Sequence, residues 1–237
     1  MPFFSNFSAS AFSLAFLPSD ILSEIVDSLN GDSSIGTLLL SGCKLLWRKL
    51  VDEGAVKKLA LSSENSVVYG WPSLVSELPR LAEFSIEVPQ NCLSVDQWHY
   101  DLLTLPRNLK SLKLRAPRVL ESLTAAINAD SSHFDALETL HLSLPEGYQR
   151  TNDAIEPFDA STLPKNLRHL ILNLPQAIGW GRRNPRKMVT LSQLPHSLVS
   201  FELNGSHMAS LGIGELPPTL TSFKTDLSLS DGHHYLI

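Results

Sequence analysis

The chain is expected to fold as an α/β solenoid, with short parallel strands along a concave face, helical or irregular returns behind them, and a small three-helix module in front. Two observations carry this expectation. A six-residue phrase, L-x-x-[L/F]-x-[L/I], recurs in phase from Leu81 to Thr225, while residues 17–54 lack it and show helical periodicity instead. The chain then divides into 1–16, a disordered leader; 17–54, the helical module; and 55–237, the repeat array.

The first apolar position of the phrase falls at Leu81, Leu109, Leu137, Leu167, Leu198 and Leu220, with spacings of 28, 28, 30, 31 and 22 residues. The fourth and sixth positions read Phe84/Ile86, Leu112/Leu114, Leu140/Leu142, Leu170/Leu172, Phe201/Leu203 and Phe223/Thr225. Only Thr225 departs from Leu, Phe or Ile among these eighteen slots, so chance is a poor explanation. Val56-Lys57-Lys58-Leu59-Ala60-Leu61 reads as a weaker first copy. The intervening third, fifth and seventh positions are nearly all polar, as in Ser111, Lys113 and Arg115 or Ser200, Glu202 and Asn204. Such period-two alternation predicts a short strand with one buried and one wet face.

The segments between phrases predict the returns. "PRVLESLTAAINAD" places Leu120, Leu123 and Ile127 on one helical face, behind Pro117 as a start signal. "SVDQWHYDLLTLP" and "KMVTLSQLP" read as shorter helical or 3₁₀ turns ending before a proline. No such unit can bury its own apolar edge, so units must stack. The pattern resembles the leucine-rich repeat, which implies a solenoid with parallel strands on the concave side. It departs from that family three residues after the sixth position. The family's Asn or Cys is replaced there by Pro89, Pro117, Pro145, Pro175 and Ser206. Proline lacks the N–H and is expected to end the strand. The L-P-x-x-L lead-in is similar to Pro-Leu variants of fungal and amoebal repeat proteins.

In residues 17–54, Leu17-Pro18 and Ser19 open "LPSDILSEIVDSLN", whose Ile21, Leu22, Ile25, Val26 and Leu29 form one helical stripe closed by Asn30-Gly31. "SSIGTLLLSG" and "CKLLWRKLVDEG" supply two further helical segments. The Leu-Pro start and the closing "SGCKLLWRKL" resemble the F-box, with Leu17, Pro18, Ile21, Leu22, Ile25, Leu38, Cys43, Lys44 and Trp47 on its pattern. That resemblance implies a module that docks a Skp1-type adaptor through Leu17, Pro18, Ile21, Leu22, Ile25, Leu38 and Trp47. The chain would thereby join a cullin-RING ubiquitin ligase while the repeats hold a protein substrate. The alternative is that these helices only cap the open apolar end of the first repeat, as repeat arrays require.

Composition limits other classes. A net charge of −5 gives no reason to expect general affinity for nucleic acid or anionic membrane. Cys43 and Cys92 stand in no metal-binding or disulfide pattern, which fits a reduced compartment, cytoplasmic or nuclear. Residues 1–16 are apolar and Ser-rich but lack the basic start of a signal peptide; a secreted recognition protein would require one. No run reaches the length of a membrane span. Two N-x-S sequons begin at Asn6 and Asn204. "WGRRNPRK", residues 180–187, is the one basic cluster and reads as a solvated loop inserted in the longest repeat.

Catalytic signatures are missing from the sequence: it contains no G-x-S-x-G, P-loop, dinucleotide fingerprint or H-E-x-x-H. The eight histidines have no helical i, i+4 spacing; His141 and His169 fall in adjacent copies but lack the third ligand that zinc needs. The sequence is therefore expected to encode a non-enzymatic adaptor with no cofactor or metal. Lys113, Arg115, His141, His169, Glu202, Lys224 and Asp226, all outward in the phrase, are the candidate substrate contacts.

Overall fold

In the computed structural model, the structure describes residues 18, 21, 24–25, 56–61, 75–76, 78–88, 101–116, 119–144, 160–174, 190–191, 193–205, 212–213 and 215–225. These form an α/β fold around a seven-stranded, wholly parallel sheet. Its strands are β1 (Lys58–Leu61), β2 (Glu83–Glu87), β3 (Ser111–Arg115), β4 (Thr139–Ser143), β5 (His169–Asn173), β7 (Ser200–Asn204) and β9 (Ser222–Thr225). Two shorter strands, β6 (Thr190–Leu191) and β8 (Gly212–Ile213), pair in parallel as a separate sheet. The large sheet runs β1-β2-β3-β4-β5-β7-β9, so each phrase of the sequence adds one strand beside the previous one. Val56–Leu61, the weak first copy, is a member, its Leu59 opposite Phe84 and its Leu61 opposite Ile86.

Register follows the apolar slots. Phe84, Leu112, Leu140, Leu170, Phe201 and Phe223 stand side by side across the sheet, as do Ile86, Leu114, Leu142, Leu172, Leu203 and Thr225. A slip of one residue would carry every anchor to the wet face, so the burial of one face fixes the register. Leu81, Leu109, Leu137, Leu167 and Leu198 are all buried, and together with the fourth and sixth positions they form one continuous core from Val56 to Leu203. Each fully buried Leu or Phe contributes about 1.5–3 kcal/mol relative to exposure, so three anchors per strand dominate the stability of each unit.

A backbone motif repeats with the phrase. The carbonyl of the residue two before each strand's first anchor-bearing rung accepts from two successive N–H groups of the next strand. Lys110 O receives Glu138 N at 2.9 Å and Thr139 N at 3.0 Å; Glu138 O receives Arg168 N at 2.8 Å and His169 N at 3.0 Å. Lys57, Ala82, Arg168 and Val199 do the same. At the other strand end, Val88, Ala116, Leu144 and Leu174 each donate one more bond to the neighbouring strand. The prolines expected to stop the strands, Pro89, Pro117, Pro145 and Pro175, lie just beyond, outside the described residues.

The Pro-led lead-in is a turn. Pro106, Pro164, Pro195 and Pro217 each offer their carbonyl to the N–H of the leucine three residues on, at 3.0–3.2 Å. Proline suits that place because its carbonyl is used and its missing N–H is not needed. It also holds the preceding residue extended, as at Leu105 with φ −66° and ψ 146°. Leu78 and Phe134 close equivalent turns with Leu81 and Leu137.

Behind the sheet lie α1 (Val119–Ala129) and two 3₁₀ turns, Leu102–Thr104 and Ala160–Thr162. α1 buries Val119, Leu120, Leu123, Ala126 and Ile127, which includes the face read from the sequence. The turn at Leu102–Thr104 is capped by Asp101, whose carboxylate accepts from Leu103 N at 3.2 Å. "KMVTLSQLP" departs from expectation: Thr190–Leu191 is a strand, not a helical turn, because Gly212–Ile213 supplies a backbone partner from the next unit. Of the N-terminal module, Pro18, Ile21, Glu24 and Ile25 are described, the last three with helical backbone. Among the described residues no helix is long and apolar enough to cross a membrane.

Gly205 marks a place where the stack tightens. A Cβ there would stand 2.6 Å from Leu174 O, a distance that backbone cannot accommodate without moving.

The packing grades along the sheet. Leu170 is fully buried between Leu140 and Phe201, while Phe223 on the last strand is 39% exposed. Leu170→Ala should cost about 2–5 kcal/mol. Phe223→Ala should cost clearly less. Urea midpoints at unchanged slope measure both; equal losses would contradict this grading.

Candidate functional site

The outward positions of the strands form one continuous surface of three rows. Pairing places Lys58, Glu83, Ser111, Thr139, His169, Ser200 and Ser222 in the first row. Ala60, Ser85, Lys113, His141, Ile171, Glu202 and Lys224 form the second, and Glu87, Arg115, Ser143, Asn173 and Asn204 the third. Six of the seven candidate contacts, Lys113, Arg115, His141, His169, Glu202 and Lys224, thus lie on one face. Asp226 lies outside the described residues. Strand alternation alone put them there, since inward slots are filled by the apolar anchors.

Much of the charge on this face is paired within the protein. Lys58 Nζ meets Glu83 Oε1 at 2.9 Å, and an Arg115 guanidinium nitrogen meets Glu87 Oε1 at 2.9 Å. Both pairs are one-third to one-half exposed, so each contributes at most about 1 kcal/mol; their effect is to hold side chains across neighbouring strands.

At the centre a polar chain crosses three strands. Asn204 Nδ2 donates to Asn173 Oδ1 at 2.7 Å and to Glu202 Oε1 at 2.8 Å. Asn173 Nδ2 in turn stands 2.7 Å from His141 Nε2. With the Asn173 carbonyl already turned to Asn204, its amide donates and Nε2 accepts, which makes His141 the neutral Nδ1–H tautomer. Burial lowers the His141 pKa from its ordinary 6.5 and the Lys113 ammonium lowers it further, against an upward pull from Glu202. Geometry and electrostatics agree on a neutral ring near pH 7.

His141 and His169 do not form a pair. Register sets His141 opposite Ile171 and His169 opposite Thr139, so the two rings sit on different rows. Among the described residues, no three His, Cys, Asp or Glu side chains come together as a metal site.

Sequence reasoning missed Asn173 and Asn204 as working parts of the face, because a seventh-position Asn looks like any exposed polar residue. It also missed the residue just before each first anchor. Asn166 Nδ2 donates to Asp135 O at 2.8 Å. Ser197 Oγ lies 2.6 Å from Lys165 O and 2.7 Å from Leu167 O. Thr219 Oγ1 bonds His196 O and, at 2.9 Å, Leu198 O. These side chains tie each turn to the turn before it and hold successive strands at fixed spacing. The signal was available in four of the six copies: the slot holds Asn108, Asn166, Ser197 and Thr219, all small and able to donate, against Arg80 and Ala136.

At the second sequon, the Asn204 amide donates to Asn173 and Glu202, and Gly205 is buried against Leu174.

Of the candidate adaptor contacts, Pro18 and Ile21 are exposed, Ile21 to 40%, and Ile25 is half-buried. Leu17, Leu22, Leu38 and Trp47 lie outside the described residues.

His141 generates a pH prediction. Its folded pKa is lower than its unfolded one, so between the two values the unfolded chain binds more protons and stability falls as pH drops below 6.5. Asp130 is held below its ordinary 3.8 chiefly by the Ser132 hydroxyl and titrates only at more acid pH. The urea midpoint should therefore fall between about pH 7.5 and 5.5, and fall less in His141→Gln. Identical slopes in the two proteins would refute the assignment. Compared with models of known protein families, with curated proteins and with solved structures, the chain has no match in any of the three.

Proposed function

We propose that the chain is a leucine-rich-repeat solenoid carrying an F-box-like module, and that it acts as a non-enzymatic substrate adaptor of a Skp1–cullin–F-box ubiquitin ligase. In this reading the three outward rows bind a protein substrate and residues 17–54 dock a Skp1-type adaptor. The observation that carries it is the sheet itself. Seven in-register parallel strands, one per sequence phrase, present a polar surface whose side chains vary while the anchors beneath stay apolar in every strand but the last, where Thr225 fills one slot. Such a surface suits recognition of another macromolecule better than turnover of a small substrate.

The docking half rests on the F-box-like pattern at Leu17, Pro18, Ile21, Leu22, Ile25, Leu38 and Trp47. Exposure of Pro18 and Ile21 is compatible with it, since an apolar side chain left in solvent is available to a partner helix. One observation also favours the capping reading. β1 is an edge strand, yet Val56 and Leu59 are each only 1% exposed, so the first end of the core is closed over. A module of helices can do both, capping with one face and docking with another.

Binding of the full chain to a purified Skp1-type adaptor tests the proposal. Retention is expected for the wild type, with loss of about tenfold or more in affinity for the double variant Leu17→Ala, Pro18→Ala. An unchanged melting temperature in that variant would separate docking from capping. No retention, or retention indifferent to the double variant, would leave a scaffold whose N-terminal helices only cap.

A further inference from the structure

The outward face is not uniformly compensated, and one region of it stands out. Lys58 is paired with Glu83, Arg115 with Glu87, and Glu202 with Asn204. Lys224 has no ion pair among the described residues, but its rung neighbour is the Glu202 carboxylate. Lys113 differs. It is exposed, has no ion pair among the described residues, and its rung neighbours are Ser85 and His141. The acids diagonal to it on β2, Glu83 and Glu87, are paired with Lys58 and Arg115.

Donors without acceptors surround it. On β3, Ser111 stands two residues from Lys113; on β4, Thr139 and His141 stand opposite them in register. The Ser111 and Thr139 hydroxyls have no hydrogen bond among the described residues. The same holds for His141 Nδ1, the nitrogen that carries the proton once Asn173 occupies Nε2. The four residues occupy the corners of one rectangle of the sheet, all on the outward side. No carboxylate stands at any of its corners.

We infer that Ser111, Lys113, Thr139 and His141 form a receiving subsite for the carboxylate of an Asp or Glu side chain on a protein partner. This rests on the reading of the outward face as a protein-binding surface and names the chemistry that its β3–β4 region selects. An ammonium and three neutral donors match the acceptor-only oxygens of a carboxylate. Lys113 and His141 also repel one another as the ring takes a proton, and an anion between them reverses that penalty. The chain's net charge of −5 opposes acidic partners at long range, but salt screens it beyond roughly 8–10 Å, so the contact is decided locally.

A pH signature follows from the groups facing His141. These are Lys113 and Arg115 from β3, His169 and Asn173 from β5, and Glu202 from β7. A bound carboxylate favours the protonated ring, so binding tightens as pH falls and the ring takes up a proton from solvent.

The test pans displayed random short peptides against the full chain and measures enriched, labelled peptides by fluorescence anisotropy. Enrichment of Asp or Glu is expected, with affinity lowered about tenfold or more by Lys113→Glu and little changed by Lys224→Glu. Affinity should rise from about pH 7.5 to 5.5 in the wild type and stay flat in His141→Gln. Lys113 is exposed, so its variant should melt as the wild type does. Peptides without acidic preference that are lost in Ile171→Asp but kept in Lys113→Glu would overturn the subsite while leaving the protein-binding face intact. Equal weakening by Lys113→Glu and Lys224→Glu would also overturn it, as a general charge effect. No enrichment at all would overturn both.

Discussion

The structure depends on one shared carbonyl. At the entry to each strand a single backbone oxygen, from Lys57, Ala82, Lys110, Glu138, Arg168 or Val199, accepts two N–H groups of the strand that follows. That bond sets where the next strand begins, and the beginning sets the rung on which every later side chain sits. Parallel strands are separated by long connections, so register cannot be transmitted by a tight hairpin turn. It has to be re-established at each unit. The shared carbonyl does this with backbone atoms alone, and the apolar anchors reinforce it by making any slip expose the core.

Two supports surround that bond. The turn before each strand, closed onto the carbonyl of Pro106, Pro164, Pro195 or Pro217, delivers the first leucine at a fixed angle. Asn166, Ser197 and Thr219 then bond to carbonyls of the preceding turn, an inter-unit tie made by side chains. This tie stands at the entry end of each of those strands. With spacing and register fixed on both counts, outward side chains become positions in a grid, which is how His141, Asn173, Asn204 and Glu202 come to form one chain across three strands.

What the sequence made legible follows from how locally each feature is decided. The anchors at Leu112, Leu140 and Leu170 alternate with polar residues, and that pattern alone specifies a strand and its inner face. The α1 stripe of Leu120, Leu123 and Ile127 is equally local. Thr190–Leu191 was illegible because two residues become a strand only when Gly212–Ile213 arrives beside them. The outward face was legible as a set of positions and illegible as a network. His141 and His169 look like neighbours in an alignment, yet the grid gives His141 Ile171 on its rung and Asn173 as its bonding partner. The exposed cation at Lys113 emerges only after the other charges on the face have been assigned their partners.

The seven strands form one register-locked ladder whose centre is its most stable part. Hydrogen exchange of individual amides in the full chain tests this most directly. The amides of Thr139 and His169, bound to the shared carbonyls of Lys110 and Glu138, should exchange together and among the slowest. Ser222, held at 3.2 Å on the last strand beside an exposed Phe223, should exchange faster. Exchange of Thr139 and His169 at the rate of an unstructured chain, or Ser222 outlasting both, would contradict it.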